Sequence, residues 1–246
     1  MKSGTKMRFQ AIIDFISGNN KFILTAHETP DGDAIGSEIA AYAALKALGK
    51  EVRIMNADEM AEKYEFLDYD NAIELYTSEE MLPEDIENWV LLIMDTNDIN
   101  NIGNIKINVL TKVKDFFIFD HHEGGDVVST ANHIESEASS TCEMLYELFD
   151  KMGVEMSYEM LAAVYVGIVY DTGSFIYPKT TSKTFAIAEV CVRRGVSPNF
   201  VYSKLYESNS ISSLMLQSKV LSTLEFHYNN RVAVQIMKKE DVIESG

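Results

Sequence analysis

Three short apolar runs constrain this chain more than any other feature. They are Lys21 to Ala26 (KFILTA), Trp89 to Met94 (WVLLIM) and Phe116 to Phe119 (FFIF). Each is too short for a typical helix, and none alternates as a strand with one wet face would. Runs like these fit strands covered on both sides, the usual condition of parallel sheets. Helical patterns lie between them. Phe9, Ile12, Ile13 and Ile16 recur at helical spacing and stop at Gly18-Asn19-Asn20. A stretch rich in small residues runs from Asp33, as its cap, to Leu48, with Gly49 as its stop. Val52 to Met55 reads as a further strand. Strands alternating with helices imply an α/β fold: a mostly parallel sheet with helices on both faces.

The pattern changes after Ser139 to helices near 139–151, 157–170, 182–194, 198–207 and 211–223. Leu224 to Tyr228 and Val232 to Met237, around Asn229-Asn230, then read as a hairpin. The expected organisation is one domain over 1–207, a linker helix over 208–223, and the beginning of a truncated second domain over 224–246.

Composition narrows function. The chain has 246 residues and a net charge of −17, the opposite of the basic surface that grips long duplex nucleic acid. A phosphate-bearing substrate must therefore be held locally, by bound cations or a few placed donors. Twelve acids against one lysine between Asp58 and Glu87 read as a solvated surface. Cys142 and Cys191 lack metal-type spacing and read as buried thiols. The longest apolar run, Leu161 to Tyr170, has ten residues, short of a membrane span. Met1 to Gln10 precedes no apolar leader segment, so the expected location is the cytoplasm.

In open parallel sheets, ligands bind at the carboxyl ends of the strands. The residues there are unusual. His27, Asp31 and Asp33 follow the first run; Asp95 follows the second; Asp120, His121 and His122 follow the third. Asp171 follows the apolar helix and precedes Thr172-Gly173. Taken alone, a histidine there is commonly structural and an aspartate commonly a helix cap. Together, so many carboxylates at one edge cannot ionise without compensating cations. Carboxylate and imidazole without thiolate suit Mn²⁺, Mg²⁺, Fe²⁺ or Co²⁺ rather than structural zinc. The donors outnumber the needs of one ion, so two are expected, as in centres that activate water for attack on phosphorus. Ser139-Ser140-Thr141 reads first as a helix cap with Glu143 near the third position, with Ser140 and Thr141 as candidate substrate contacts. His133 and His227 read as structural.

Four segments in order carry a resemblance. His27-Glu-Thr-Pro-Asp-Gly-Asp-Ala-Ile-Gly-Ser37, Asp95-Thr-Asn-Asp98, Asp120-His-His122 and Asp171-Thr-Gly173 resemble the four motifs of the DHH phosphoesterases, over about residues 10–237. The likeness is to the DHH/DHHA1 branch that includes bifunctional oligoribonuclease and 3′-phosphoadenosine-5′-phosphate phosphatases. It implies two Mn²⁺ ions, with Mg²⁺ or Co²⁺ as substitutes, and a short RNA or nucleotide substrate. His27 and Asp31 would hold one ion; Asp33, His121 and Asp171 the other; Asp95 would bridge. His122 would face the scissile phosphate as a donor, and Asp120 would orient a histidine ligand. Relatives are often homodimers. Family-II pyrophosphatases share the first domain and are the alternative, as is a domain that binds metal or nucleotide without turnover.

Three positions depart from the family pattern. Thr29 stands where the family usually has Asn. Phe175-Ile176-Tyr177 offers no basic residue, so Lys179 or Lys183 would have to substitute. No Gly-Gly-Gly-His loop of the kind that recognises the nucleotide occurs in this sequence.

Overall fold

The computed structural model describes residues 8–124, 131–208 and 210–246. The first seven residues, part of the segment read for a leader, lie outside the described residues. The chain divides into two compact units, Met1–Pro198 and Asn199–Gly246.

In the first unit, β1 (Lys21–Thr25), β2 (Glu51–Asn56), β3 (Ile73–Leu75), β4 (Val90–Met94), β5 (Asp115–Asp120) and β6 (Asn132–Ile134) form one sheet in the order β3-β2-β1-β4-β5-β6. Every pairing is parallel. The central runs are the buried strands their composition requires: β4 is buried throughout, and Phe117, Ile118 and Phe119 of β5 are at most 1% exposed. The strand order reverses direction between β1 and β4. Their carboxyl ends therefore splay apart at a topological switch point, where such sheets place their ligands.

Helices cover both faces, as the strand pattern predicts. On one side lie α2 (Gly32–Ala47), α4 (Thr141–Met152) and α5 (Tyr158–Asp171). Their close approach depends on two glycines. A Cβ on Gly36 would stand 2.6 Å from the Ala163 carbonyl oxygen, and one on Gly167 2.3 Å from Cys142 Sγ and 2.4 Å from Asp33 Oδ1. On the other face Trp89, Leu91, Ile93 and Ile118 pack with Ile102 and with Ile105 and Val109 at the short α3 (Asn104–Asn108). α1 (Gln10–Gly18) closes the β6 side, and α6 (Ser182–Arg193) follows α5. The two free cysteines are buried. The acidic segment 58–87 is built of 3-10 turns around β3, with Tyr64, Leu67 and Tyr76 anchoring it inward.

One expectation needs correction. Asp31, not Asp33, caps α2: its Oδ1 accepts from the amides of Asp33 (2.9 Å) and Ala34 (3.2 Å). Asp33 lies inside the first turn, which turns its carboxylate toward the protein interior.

The second unit comprises α7 (Pro198–Tyr206), α8 (Ile211–Ser222), the antiparallel pair β7 (Glu225–His227) and β8 (Val232–Val234), and α9 (Lys239–Ser245). Tyr228, Asn229 and Asn230 turn the hairpin with φ of 52°, 58° and 63°. Asn tolerates that left-handed region better than most residues. Among the described residues no helix is long and apolar enough to cross a membrane.

Candidate metal centre

Each predicted site residue sits at the end of an element that aims it at the switch point. His27 follows β1, Asp31 and Asp33 open α2, Asp95 follows β4, Asp120 closes β5 and is followed by His121 and His122, and Asp171 closes α5. Asp95 has φ of 59°, a strained conformation for a residue with a side chain and one concentrated at functional sites. Asp171 puts a carboxylate at the negative end of a helix dipole, where a cation would be the favoured neighbour.

The side chains gather into two adjoining groups. His27, Asp31 and Asp95 offer donor atoms within 4.8 Å of one another, and so do Asp33, His121 and Asp171. Asp95 joins the groups. Its Oδ2 is 3.6 Å from His27 Nε2, and its Oδ1 is 3.6 Å from His121 Nε2. On the first side His27 Nε2 is 3.9 Å from Asp31 Oδ2. On the second, His121 Nε2 is 2.8 Å from Asp171 Oδ2 and 3.8 Å from Asp33 Oδ2. A third set, Asp95, His121 and His122, also falls within 4.8 Å. Beside the cluster opens a cavity of about 580 Å³ reaching Glu28, Asn97, Asn101, His122 and Glu123, with no Lys or Arg among its lining residues.

The electrostatics call for a cation. Asp33 is fully buried and Asp95 is 2% exposed. Burial, then the neighbouring Asp171, pushes Asp33 up to about 6. Asp95 is raised well above the usual carboxylate range by burial, then by Asp33 and Asp31. Burial lowers the pKa of His121, but Asp171 and Asp33 outweigh it and raise the group to about 9. His121 Nε2 stands closest to Asp171 Oδ2, at 2.8 Å, and among the described residues the buried Asp120 Oδ2 has no hydrogen-bond partner. A ring nitrogen within 4 Å of oxygens from Asp33, Asp95 and Asp171 fits a shared cation among them. The oxygen and imidazole donors match divalent ions of the manganese and magnesium type.

The remaining candidates take different places. Asp120 was expected to orient a histidine ligand; its Oδ1 lies 2.8 Å from Nδ1 of His122 instead, the expected phosphate donor. Ser140 and Thr141 are wholly buried. Ser140 Oγ caps α4 by accepting from the Glu143 amide at 3.0 Å, and the Thr141 hydroxyl donates to Asp95 Oδ1 at 3.0 Å. Both are buried, and neither is among the residues that line the cavity, where a substrate contact was expected. Lys183 is occupied by Glu143 and Glu147, each at 2.9 Å. His133 stacks on Phe119 and contacts Glu135, a structural role. Asn97 was not singled out from the sequence, though it lies within the second motif. Its Nδ2 donates to the His122 carbonyl at 2.9 Å.

Fold and cluster together define a parallel α/β protein with an oxygen- and imidazole-rich, two-lobed metal-type site at its switch point. A sequence model described as the DHH family, N-terminal domain, matches residues 21–168, and the chain belongs to that family. It is 30% identical over 91% of its length to the bifunctional oligoribonuclease and PAP phosphatase NrnA of Thermus thermophilus, and 27% identical over 95% to the protein of that name from Bacillus subtilis. It spans 64% of the length of the first and 71% of the second. An exopolyphosphatase-related protein from Bacteroides fragilis shares the fold, with a TM-score of 0.89 at 24% identity, over 100% of this chain and 73% of that one. A putative family II inorganic pyrophosphatase from Methanococcus jannaschii matches with a TM-score of 0.59 at 18% identity, over 91% of this chain and 74% of its own.

Proposed function

We propose that this chain is a two-metal-ion phosphoesterase that hydrolyses short oligoribonucleotides, 3′-phosphoadenosine-5′-phosphate or related nucleotides, with Mn²⁺ as its preferred ion. The observation that carries the reading is the Asp95 carboxylate, one oxygen facing His27 and the other facing His121. His27 and Asp31 would hold one ion, Asp33, His121 and Asp171 the other, and Asp95 both. Bound there, divalent ions would supply Lewis acidity toward phosphoryl oxygens and make water a better nucleophile near neutral pH. The protein's own part is to orient and to donate. Asp120 accepts from Nδ1 of His122 and raises its pKa, which favours the doubly protonated ring, whose Nε2–H would donate to a phosphoryl oxygen or to the leaving group. Asn97 fixes the backbone of His122 through its carbonyl.

The names of the oligoribonuclease relatives support the nucleotide class. Pyrophosphatase activity has less support, since a small polyanion needs basic side chains and the described cavity lining has none. The test is release of mononucleotide from an RNA dinucleotide and of phosphate from 3′-phosphoadenosine-5′-phosphate, with pyrophosphate in parallel. Mn²⁺-dependent turnover of the first two, abolished in Asp95→Ala, is expected. Turnover of pyrophosphate alone would replace this reading with the pyrophosphatase one. Metal binding without hydrolysis of any of the three would leave a binding domain.

A further inference from the structure

We infer that Thr141 is a positioning residue that holds the Asp95 carboxylate between the two ligand groups; this rests on the two-ion reading above. Thr141 reaches both buried carboxylates at once. Its backbone amide donates to Asp33 Oδ2 at 2.6 Å, and its hydroxyl donates to Asp95 Oδ1 at 3.0 Å. These are the same two oxygens that face His121 Nε2, at 3.8 and 3.6 Å. The neighbouring Cys142 amide takes the other oxygen of Asp33 at 3.0 Å.

The hydroxyl matters because of what it does to rotation about the Asp95 side chain. The Asp95 carboxylate has its two oxygens divided between the two ligand groups, Oδ2 toward His27 and Oδ1 toward His121. Thr141 pins Oδ1 on the Asp33–His121 side, and the planar group then presents Oδ2 to His27, 3.6 Å away. Among the described residues, the hydrogen bond from Thr141 is the one made by the Asp95 side chain. Its donor is rigid. The Ser140 cap fixes the start of α4, and a β-branched residue has few χ1 choices in a helix. Full burial keeps water from replacing the contact.

The experiment is Mn²⁺ titration of the full chain by calorimetry, with electron paramagnetic resonance on the loaded protein, for the wild type, Thr141→Val and Thr141→Ser. The wild type is expected to bind two ions and to show the exchange-coupled signal of a bridged pair. Thr141→Val keeps the shape and loses the hydroxyl. It is expected to bind Mn²⁺ about tenfold or more weakly, the usual scale for residues that orient metal ligands, and to lose the coupled signal. Thr141→Ser is expected to restore both. Val binding two coupled ions as tightly as the wild type would overturn the inference, as would a Ser variant as impaired as Val. Melting in chelator checks folding; if Val does not fold, Thr141→Ala takes its place under the same criteria. A wild type that binds no Mn²⁺ defeats the two-ion reading itself, and the inference with it. A wild type that binds a coupled pair while Val does likewise defeats only the role of Thr141.

Discussion

Asp120 and His122 form a buried-to-exposed pair: Asp120 Oδ1 lies 2.8 Å from His122 Nδ1, with the Asp120 side chain 0% and the His122 side chain 52% exposed. The carboxylate is acceptor-only when ionised, so it fixes Nδ1 as the protonated nitrogen and sets the ring plane. Hydrogen bonding to Asp120 also raises the His122 pKa from its ordinary value. Asp120→Asn keeps the volume but removes the carboxylate that raises the His122 pKa, so near neutral pH the doubly protonated ring that donates from Nε2 is less populated. The variant is expected to lose roughly 10–100-fold in turnover while still binding two Mn²⁺. Steady-state kinetics beside calorimetry check this. An unchanged kcat would show that the orientation of His122 does not matter to the reaction.

How much of this site could be read from the sequence depends on the distance over which its signals act. β1, β4 and β5 were legible because their centres, buried on both faces, are unbroken apolar runs, and the break in polarity at His27, Asp95 and Asp120 marks the sheet edge. β3 and β6 were not. Each is three residues long and half-buried, too short to show a period. The Asp31 cap was missed because Asp31 and Asp33 both suit that place, and only the backbone shows which of them stands outside the helix. Thr141 and Asp95 meet across 46 residues of chain. Nothing local marks such a contact, so the threonine looked like one more cap residue. The loss of Lys183 to Glu143 and Glu147 is likewise tertiary.

Glu38 gives the fold a pH dependence separate from the ligand cluster. Its side chain is fully buried in α2, with Oε2 accepting from Asn56 Nδ2 at 2.9 Å and, among the described residues, no partner for Oε1. Burial pushes its pKa up to about 8, against which the Asn56 hydrogen bond works and to which the Asp68 charge adds. The folded state therefore holds a proton that the unfolded chain releases near the ordinary value of 4.5. Between those two values the native state binds more protons, so this contribution to stability falls as pH rises. Glu38→Gln removes the ionisation and keeps an acceptor for Asn56. Urea unfolding at pH 5 and pH 8 is expected to show the variant gaining on the wild type by on the order of a few kcal/mol across that interval. Parallel lines for the two proteins would mean that Glu38 does not titrate differently on folding.

Gly36 tests how tightly α2 and α5 must approach. Alanine favours a helix over glycine by about 1 kcal/mol. Here its methyl would stand 2.6 Å from the Ala163 carbonyl oxygen and 3.0 Å from Cys142 Sγ. Backbone cannot give way as a flexible side chain can, and overpacking costs about 1–3 kcal/mol. The clash outweighs the propensity, so Gly36→Ala is expected to unfold at lower urea with an unchanged m-value. The same shift would move α2, which carries Asp33, away from α4, so Mn²⁺ affinity is expected to fall as well. A more stable variant would show that the helices separate freely.

Thr29 is the departure from the family pattern with a measurable cost. It has φ of 53°, in the left-handed region that β-branched residues avoid and Asn tolerates. Asp58 holds it there: Oδ2 accepts from the Thr29 amide at 2.8 Å and lies 3.4 Å from its hydroxyl. Asn at this position would keep the amide bond, lose only the longer hydroxyl contact, and relax the backbone. Left-handed strain is worth about 1–2 kcal/mol per residue, more than one exposed hydrogen bond at the limit of its length. Thr29→Asn is therefore expected to raise the melting temperature by about 2–4 °C. Because Thr29 lies between His27 and Asp31, the comparison is made in chelator, where altered metal affinity cannot contribute. A melting temperature equal to or below that of the wild type would show that Asp58, through its hold on the threonine hydroxyl, already offsets the strain.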